Sequence, residues 1–152
     1  MIVSELLQRQ SVLVPMAAVD REGVVAALVE ALALPEPAPP RAAIRAAVLA
    51  RESAGSTGIG GGVAIPHARV SQLPRTFMAA GRAARPIEFG SADAKPVSLV
   101  FLLAIPAEDP RSYLPVLAGL SRLASDGGLL RRLARAAGPD EFFDCIADFP
   151  LT

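Results

Sequence analysis

His67 is the only histidine in the chain, and it follows a glycine-rich stretch. The segment STGIGGGVAIPHARV, residues 56–70, has four glycines within five positions, then a short apolar run, a proline and the histidine. An imidazole is largely neutral at the pH of the cytoplasm, so one ring nitrogen has a free lone pair. If the other nitrogen donates to a backbone carbonyl, the nucleophilic nitrogen is aimed outward. Because the chain has no second histidine, acid–base chemistry by a histidine pair is excluded, and His67 is a candidate for a single nucleophile.

The residues around this stretch suit an anion. Glycine leaves backbone N–H groups unshielded, and successive N–H groups form anion-binding nests, which makes Gly58 and Gly60 candidate phosphate contacts. Ser56 and Thr57 add hydroxyl donors. Arg51 supplies a planar fork of donors that matches a phosphate group. Phosphoryl transfer requires positioning and charge stabilisation, and these groups provide both without a metal.

Other sites built from glycine, serine or histidine do not fit the pattern. Gly61 stands where a nucleotide-binding P-loop needs lysine, and neither the dinucleotide-binding glycine spacing nor a G-x-S-x-G elbow is present. The single Cys145 and single histidine exclude an internal disulfide and a cysteine–histidine metal cluster. Taken alone, His67 fits a capped structural histidine and the glycines fit a tight turn. Their combination with Arg51 favours a phosphoryl site with no cofactor and no metal.

Two helices are predicted before the glycines. Asp20 is a candidate N-cap for the first, and the proline-rich segment 35–40 is expected to be a rigid loop between helices rather than an interdomain linker. The second helix begins near Arg41 and ends at Gly55. Ile44, Val48 and Arg51 recur at helical spacing, so Arg51 is expected on the inward face, where its guanidinium needs an acceptor.

The middle of the chain predicts strands. Residues 62–67 form a short strand candidate that ends at Pro66, with His67 at its end, because a residue before proline stays extended. Residues 75–82 and 86–89 are further candidates, and VSLVFLLAI, residues 97–105, predicts a strand buried on both faces. Three helices follow, at about 112–125, 126–137 and 140–147. The pattern predicts an α/β fold: a single domain, residues 1–152, with a mixed β-sheet flanked by helices on both faces.

Composition narrows the setting in which the protein works. Acidic and basic residues balance at 15 each, which argues against a nucleic-acid or anionic-membrane surface. The longest apolar run, residues 97–105, is shorter than the roughly 20 residues that cross a bilayer. The N-terminus lacks the pattern of a signal peptide. A cytoplasmic protein without membrane insertion is therefore expected.

The stretch RESAGSTGIGGGVAIPHARV, residues 51–70, resembles the active-site signature of the enzyme IIA domains of the fructose–mannitol class. These domains belong to the bacterial phosphoenolpyruvate-dependent phosphotransferase system, and the chain is most similar to the nitrogen-regulatory members. The resemblance implies that His67 is the phospho-acceptor, through the ring nitrogen farther from the backbone, and that Arg51 steadies the phosphoryl group. It also implies a mixed sheet flanked by helices, a phosphorylated carrier protein of HPr or NPr type as donor, and regulatory target proteins.

The stretch SYLPVL, residues 112–117, departs from the family pattern. Tyr113 and Pro115 stand where family members commonly carry histidines. Proline cannot donate to a phosphate, whereas tyrosine offers a hydroxyl, so Tyr113 and Arg69 are further candidate site residues. Three functions stay open. The first is a regulatory phosphoryl carrier, which the missing second histidine favours. The others are a sugar-specific IIA protein that passes phosphate to a fructose- or mannitol-type IIB permease, and a IIA-like binding module without phosphoryl turnover.

Overall fold

A mixed β-sheet organises the fold. A computed structural model of the chain describes residues 1–109 and 111–152, which form six strands and five α-helices. The strands are β1 (Leu7–Met16), β2 (Gly58–Gly60), β3 (Val63–Ala64), β4 (His67–Val70), β5 (Phe77–Ile87) and β6 (Val97–Pro106). The helices are α1 (Arg21–Ala31), α2 (Arg41–Ala54), α3 (Tyr113–Ala124), α4 (Gly127–Arg135) and α5 (Pro139–Ile146). Among the described residues, no helix combines the length and the apolar character that a membrane span requires.

Strand β6 lies at the centre of the sheet, whose order is β1-β5-β6-β3-β2. It pairs antiparallel with β5 along one edge and parallel with β3 and then β4 along the other. Strand β1 extends the sheet in parallel beyond β5, and β2 pairs antiparallel with β3. The sheet is therefore mixed, as predicted.

Side chains alternate across β6 and face a different core on each side. Phe101 and Leu103 belong to the apolar cluster that contains the buried residues of α3, α4 and α5. Leu102 and Ala104 belong to the cluster that contains those of α1 and α2. All four side chains are fully buried. The predictions of a strand buried on both faces and of a sheet flanked by helices on both sides are confirmed.

Three parts of the sheet differ from the sequence prediction. The single strand predicted for residues 62–67 is replaced by β3 and the start of β4. His67 therefore begins a strand instead of ending one. The break falls at Pro66, which has no N–H to donate, although its carbonyl accepts from the Leu103 amide at 3.0 Å. Residues 75–82 and 86–89 contribute to one continuous strand, β5. Strand β1 was not predicted, because its exposed polar residues 8–10 interrupt the apolar pattern.

Helix α2 corrects the position of Arg51. Ile44 and Val48 are buried as predicted, but the inward stripe continues to Glu52, four residues after Val48. Arg51 is exposed, so the prediction of an inward Arg51 is wrong. At the last turn of α2 the i+4 step, not i+3, points to the core.

The connection between α1 and α2 agrees with its prediction. The Asp20 carboxylate accepts from the Gly23 amide at 2.8 Å and caps the start of α1. The segment 35–40 joins the two helices directly. Arg41 donates to the Val29 and Leu32 carbonyls at 2.6 and 2.9 Å, which satisfies the end of α1. The two helices therefore pack as one layer over the sheet.

Candidate functional site

Three elements converge on a cavity beside the start of β4. It has a volume of about 250 Å³ and contains the only histidine of the chain. Helix α2 contributes Ala47 and Arg51, strand β4 contributes residues 67–69, and helix α3 contributes Tyr113. The sheet and two helices of different layers thus bring together residues that are far apart in sequence.

The ring of His67 is held by its own backbone. Its Nδ1 lies 2.8 Å from the carbonyl oxygen of Ile65. A carbonyl oxygen only accepts, so Nδ1 bears the proton in this contact. In the neutral ring Nε2 then has the free lone pair. That carbonyl belongs to the two residues that separate β3 from β4, and both strands run in the same direction along β6.

Two guanidinium groups share the cavity with His67. Arg51, at the end of α2, donates to the Gly55 carbonyl at 2.7 Å, which leaves most of its five N–H groups free. Arg69 lies two residues after His67 on β4, so both side chains stand on the same face of the strand. Neither arginine forms an ion pair within the described residues. In the part of the chain that the structure describes, two guanidinium groups without a carboxylate partner thus lie in the same cavity as the His67 ring.

Tyr113 lines the cavity from helix α3. Its ring centroid lies 6.2 Å from that of His67, with 31° between the planes. The Arg69 guanidinium carbon lies 5.6 Å from the same ring centroid. Tyr113 is the first residue of α3, and Ser112 is its N-cap residue. Pro115 is therefore at the third helical position, where its missing N–H breaks no intrahelical bond.

Ser56, Thr57, Gly58 and Gly60 do not line this cavity. The Ser56 hydroxyl donates to the Phe89 carbonyl and accepts from the Gly58 amide, and the Thr57 hydroxyl donates to a carboxylate. The hydroxyl protons of Ser56 and Thr57 are thus engaged within the loop. Gly58 packs against Ser91 so closely that any Cβ would overlap its Oγ. The stretch holds its own loop in shape.

Asp93 supports the glycine turn on its outer side. Gly60 and Gly61 have φ of 91° and 67°, a region that favours glycine. The Asp93 carboxylate accepts from the amides of Lys95 and Gly61 at 3.1 and 3.2 Å. These hydrogen bonds, the one from Lys95 first, hold the pKa of Asp93 below its ordinary value. Gly60 lies beside this carboxylate and not beside His67.

Glu52 is a supporting residue that the sequence analysis missed. It is 2% exposed, and it accepts from both the amide and the hydroxyl of Thr57. Arg21 approaches it to 4.0 Å. The carboxylate therefore ties the loop after α2 to the turn that contains Arg51. Its position four residues after Val48 is the signal that could have revealed it.

The sequence profile described as "Phosphoenolpyruvate-dependent sugar phosphotransferase system, EIIA 2" matches residues 5–149. The chain belongs to this EIIA 2 family. Proteins of the family are phosphoryl carriers, and they interact with phosphocarrier and IIB partners. The match covers all six strands and five helices of the described structure.

Individual relatives point in the same direction. The chain is 37% identical over 105 residues to the nitrogen regulatory protein of Bradyrhizobium diazoefficiens, which covers 69% of each chain. The match to the nitrogen regulatory protein of Escherichia coli has the same identity but spans only 63% of that protein's length. The crystal structure of nitrogen regulatory protein IIA-Ntr from Neisseria meningitidis superimposes with a TM-score of 0.87 and 28% identity, over 99% of both chains.

A sugar-specific relative also matches this EIIA 2 protein. The fructose-specific EIIABC component of Bacillus subtilis is 32% identical over 144 residues, which is 95% of this chain but 23% of that protein. Within the described residues, no group of three or more His, Cys, Asp or Glu side chains could hold a metal ion.

Proposed function

We propose that the protein is a regulatory phosphoryl carrier that accepts a phosphoryl group on Nε2 of His67. The observation that carries the proposal is the contact between Nδ1 and the Ile65 carbonyl, inside a cavity whose two guanidinium groups form no ion pair with any described residue. This contact selects the tautomer and holds the ring. It directs the attack to the nitrogen farther from the backbone.

The transfer step takes place between this chain and a donor protein that carries a phosphorylated histidine, and it requires no other group. The Nε2 lone pair of His67 forms the new N–P bond while the bond between phosphorus and the donor nitrogen breaks. The electron pair of that bond returns to the donor ring. Nδ1 of His67 keeps its proton throughout, and the Ile65 carbonyl stabilises the positive charge that the ring gains.

Arg51 stabilises the charge that the step moves into the cavity. A phosphoryl group carries about −1.5 to −2 charges at neutral pH. Arg51 uses one N–H on Gly55 and can direct others to phosphoryl oxygens, while Arg69 adds a second guanidinium from the strand. Electrostatic stabilisation of this kind is the main requirement of phosphoryl transfer.

The proposed donor is a phosphorylated histidine carrier protein of HPr or NPr type, and the proposed readers are regulatory target proteins. The relatives named nitrogen regulatory proteins support the regulatory role. Tyr113 and Pro115 in place of histidines also support it, because onward transfer loses an imidazole partner. With such a donor, the reaction takes place in the cytoplasm.

The test is reconstitution with phosphoenolpyruvate, enzyme I and the carrier protein, followed by intact mass. Wild type is expected to gain one phosphoryl group and His67→Ala none. Arg51→Gln is expected to slow the gain roughly ten- to a hundredfold, the kinetic equivalent of one lost charge-assisted hydrogen bond. Arg45→Gln is the matched control, since Arg45 is exposed on the same helix outside the cavity.

Two outcomes would contradict the proposal. Wild type that stays unmodified would favour a IIA-like binding module without turnover. Modification that survives in His67→Ala would place the phosphoryl group on another residue.

The second candidate function is delivery of the phosphoryl group to a sugar permease, which the match to a fructose-specific EIIABC component favours. Purified phosphorylated protein is mixed with a fructose- or mannitol-type IIB domain, and phosphate on both proteins is followed by mass. The regulatory proposal predicts that the phosphoryl group stays on His67. Rapid transfer to the IIB domain would support the sugar-specific function instead.

A further inference from the structure

Arg69 is exposed, yet its guanidinium has a defined neighbour. It stands on the same face of β4 as His67, and its guanidinium carbon lies 5.6 Å from the Tyr113 ring centroid. Within residues 1–109 and 111–152, no hydrogen bond or ion pair involves the Arg69 side chain. The aromatic ring is therefore the contact that orients it.

The Tyr113 ring lies near two of the three cavity residues of β4. The centroids of Tyr113 and His67 are 6.2 Å apart, and Arg69 lies over the same ring. The described structure contains no hydrogen bond of the Tyr113 hydroxyl. The contacts of Tyr113 therefore involve its aromatic face. The sequence alone had suggested a role for its hydroxyl.

We propose that Tyr113 is a positioning residue that holds the Arg69 guanidinium beside His67 through its aromatic face. This inference rests on the proposed phosphoryl transfer and identifies a further contributor to it. Arg69 thereby supplies a second positive group from strand β4, in addition to Arg51 from helix α2. The hydroxyl of Tyr113 contributes little to the step.

The strength of the contact suits this role. A free arginine side chain samples many rotamers, and a cation–π contact restricts it before the donor arrives. A phosphoryl group binds a guanidinium more strongly than an exposed ring does, because its hydrogen bonds are charge-assisted. Arg69 can thus turn from the ring to the phosphoryl oxygens when the group is transferred.

A double-mutant cycle tests the proposal on the rate of His67 phosphorylation. Tyr113→Phe is expected to react like wild type. Tyr113→Leu is expected to lower the transfer rate constant about two- to fivefold, with an unchanged KM for the phosphorylated carrier, as the loss of one exposed cation–π contact predicts. In the Arg69→Gln background, Tyr113→Leu is expected to cause no further loss.

Each contrary result overturns the proposal. A loss in Tyr113→Phe equal to that in Tyr113→Leu would assign the effect to the hydroxyl. Full additivity of Arg69→Gln and Tyr113→Leu would show that the two side chains act separately. A rise in KM alone would assign Tyr113 to donor docking. Far-UV circular dichroism detects a fold defect in Tyr113→Leu. If there is one, Arg69→Lys serves as the second probe, because this surface change weakens the contact between residue 69 and the Tyr113 ring.

A measurement without phosphotransfer separates this inference from the proposed function. Tyr113 is the only tyrosine and the chain has no tryptophan, so tyrosine fluorescence reports on this cavity alone. Sulfate, an analogue of the phosphoryl group, is titrated at constant ionic strength against chloride. Wild type and Arg45→Gln are expected to show a saturable fluorescence change as Arg69 leaves the ring, and Arg69→Gln is expected to show none. An equal response in Arg69→Gln, or no response in wild type, would overturn the inference whether or not His67 is phosphorylated.

Discussion

The buried contact between Thr57 and Glu52 should control the stability of the loop that follows α2. Thr57 is 6% exposed and Glu52 is 2% exposed. The Thr57 amide donates to one carboxylate oxygen at 3.2 Å, and the Thr57 hydroxyl donates to the other. Thr57→Val keeps the shape of the side chain and removes only the hydroxyl donor. We expect this change to weaken the loop where α2 ends beside Arg51.

The magnitude follows from the contacts that each variant keeps. A hydrogen bond to a charged group contributes about 1.5–3 kcal/mol, so Thr57→Val should cost about 2 kcal/mol of the free energy of unfolding. Thr57→Ser keeps the donor and loses one methyl group, a cost of about 0.8 kcal/mol. In Glu52→Gln the amide oxygen can accept from the Thr57 amide while the NH₂ donates to the hydroxyl, which should cost about 1 kcal/mol. Arg21, at 4.0 Å and partly exposed, adds under about 1 kcal/mol.

Urea unfolding at neutral pH, followed by circular dichroism, measures these differences. The expected order of stability is wild type, then Thr57→Ser and Glu52→Gln together, then Thr57→Val. The His67 phosphorylation rate of Thr57→Val, measured well below its unfolding midpoint, should fall as well, because the loop positions Arg51. Equal stability of Thr57→Val and Thr57→Ser would refute the reasoning, since it would mean that the hydroxyl contributes nothing to the buried carboxylate.

Two further predictions concern the frame around the site. Gly119→Ala should destabilise the protein by about 1–3 kcal/mol, because a Cβ there would lie 2.6 Å from Leu151 Cα. In urea unfolding, Gly138→Ala should cost less, since a Cβ there would meet no heavy atom within 4 Å beyond its chain neighbours and only the N-cap preference of α5 opposes the change, and equal effects of the two changes would contradict this. Asp93→Asn should be less stable than wild type at neutral pH. The lowered pKa of Asp93 stabilises the fold above about pH 4, so the difference should shrink as pH falls below that value. A difference that stays constant in acid would contradict the role of its charge.

Much of the fold follows from local pattern. The continuous apolar run of β6 predicts a central buried strand, and the Asp20 cap and the prolines of residues 35–40 predict where α1 begins and where the helices are separated. Strand β1 does not follow from pattern, because residues 8–10 are polar and exposed on a strand that pairs with β5. Long-range pairing stabilises such a segment, and no local signal reports it.

Part of the site could also be predicted from the sequence. His67, Arg51, Arg69 and Tyr113 were predicted as site residues from their types and from the family pattern, and the structure places all four around one cavity. The positions of Ser56 and Thr57 were not predictable from type alone. A hydroxyl that could contact phosphate can equally satisfy a buried carboxylate or carbonyl, and only the tertiary arrangement of Glu52 and Phe89 decides between them.

Nitrogen and phosphorus NMR of protein with ¹⁵N-labelled histidine tests the central claim most directly, because the chain has one histidine. Before phosphorylation, Nδ1 should carry the proton and Nε2 should resonate as an unprotonated nitrogen. After incubation with the phosphorylated carrier, the phosphorus coupling should appear on Nε2, with the Nδ1 proton retained against the Ile65 carbonyl. A phosphorus coupling on Nδ1, or a resting ring protonated on Nε2, would contradict the proposed nucleophile.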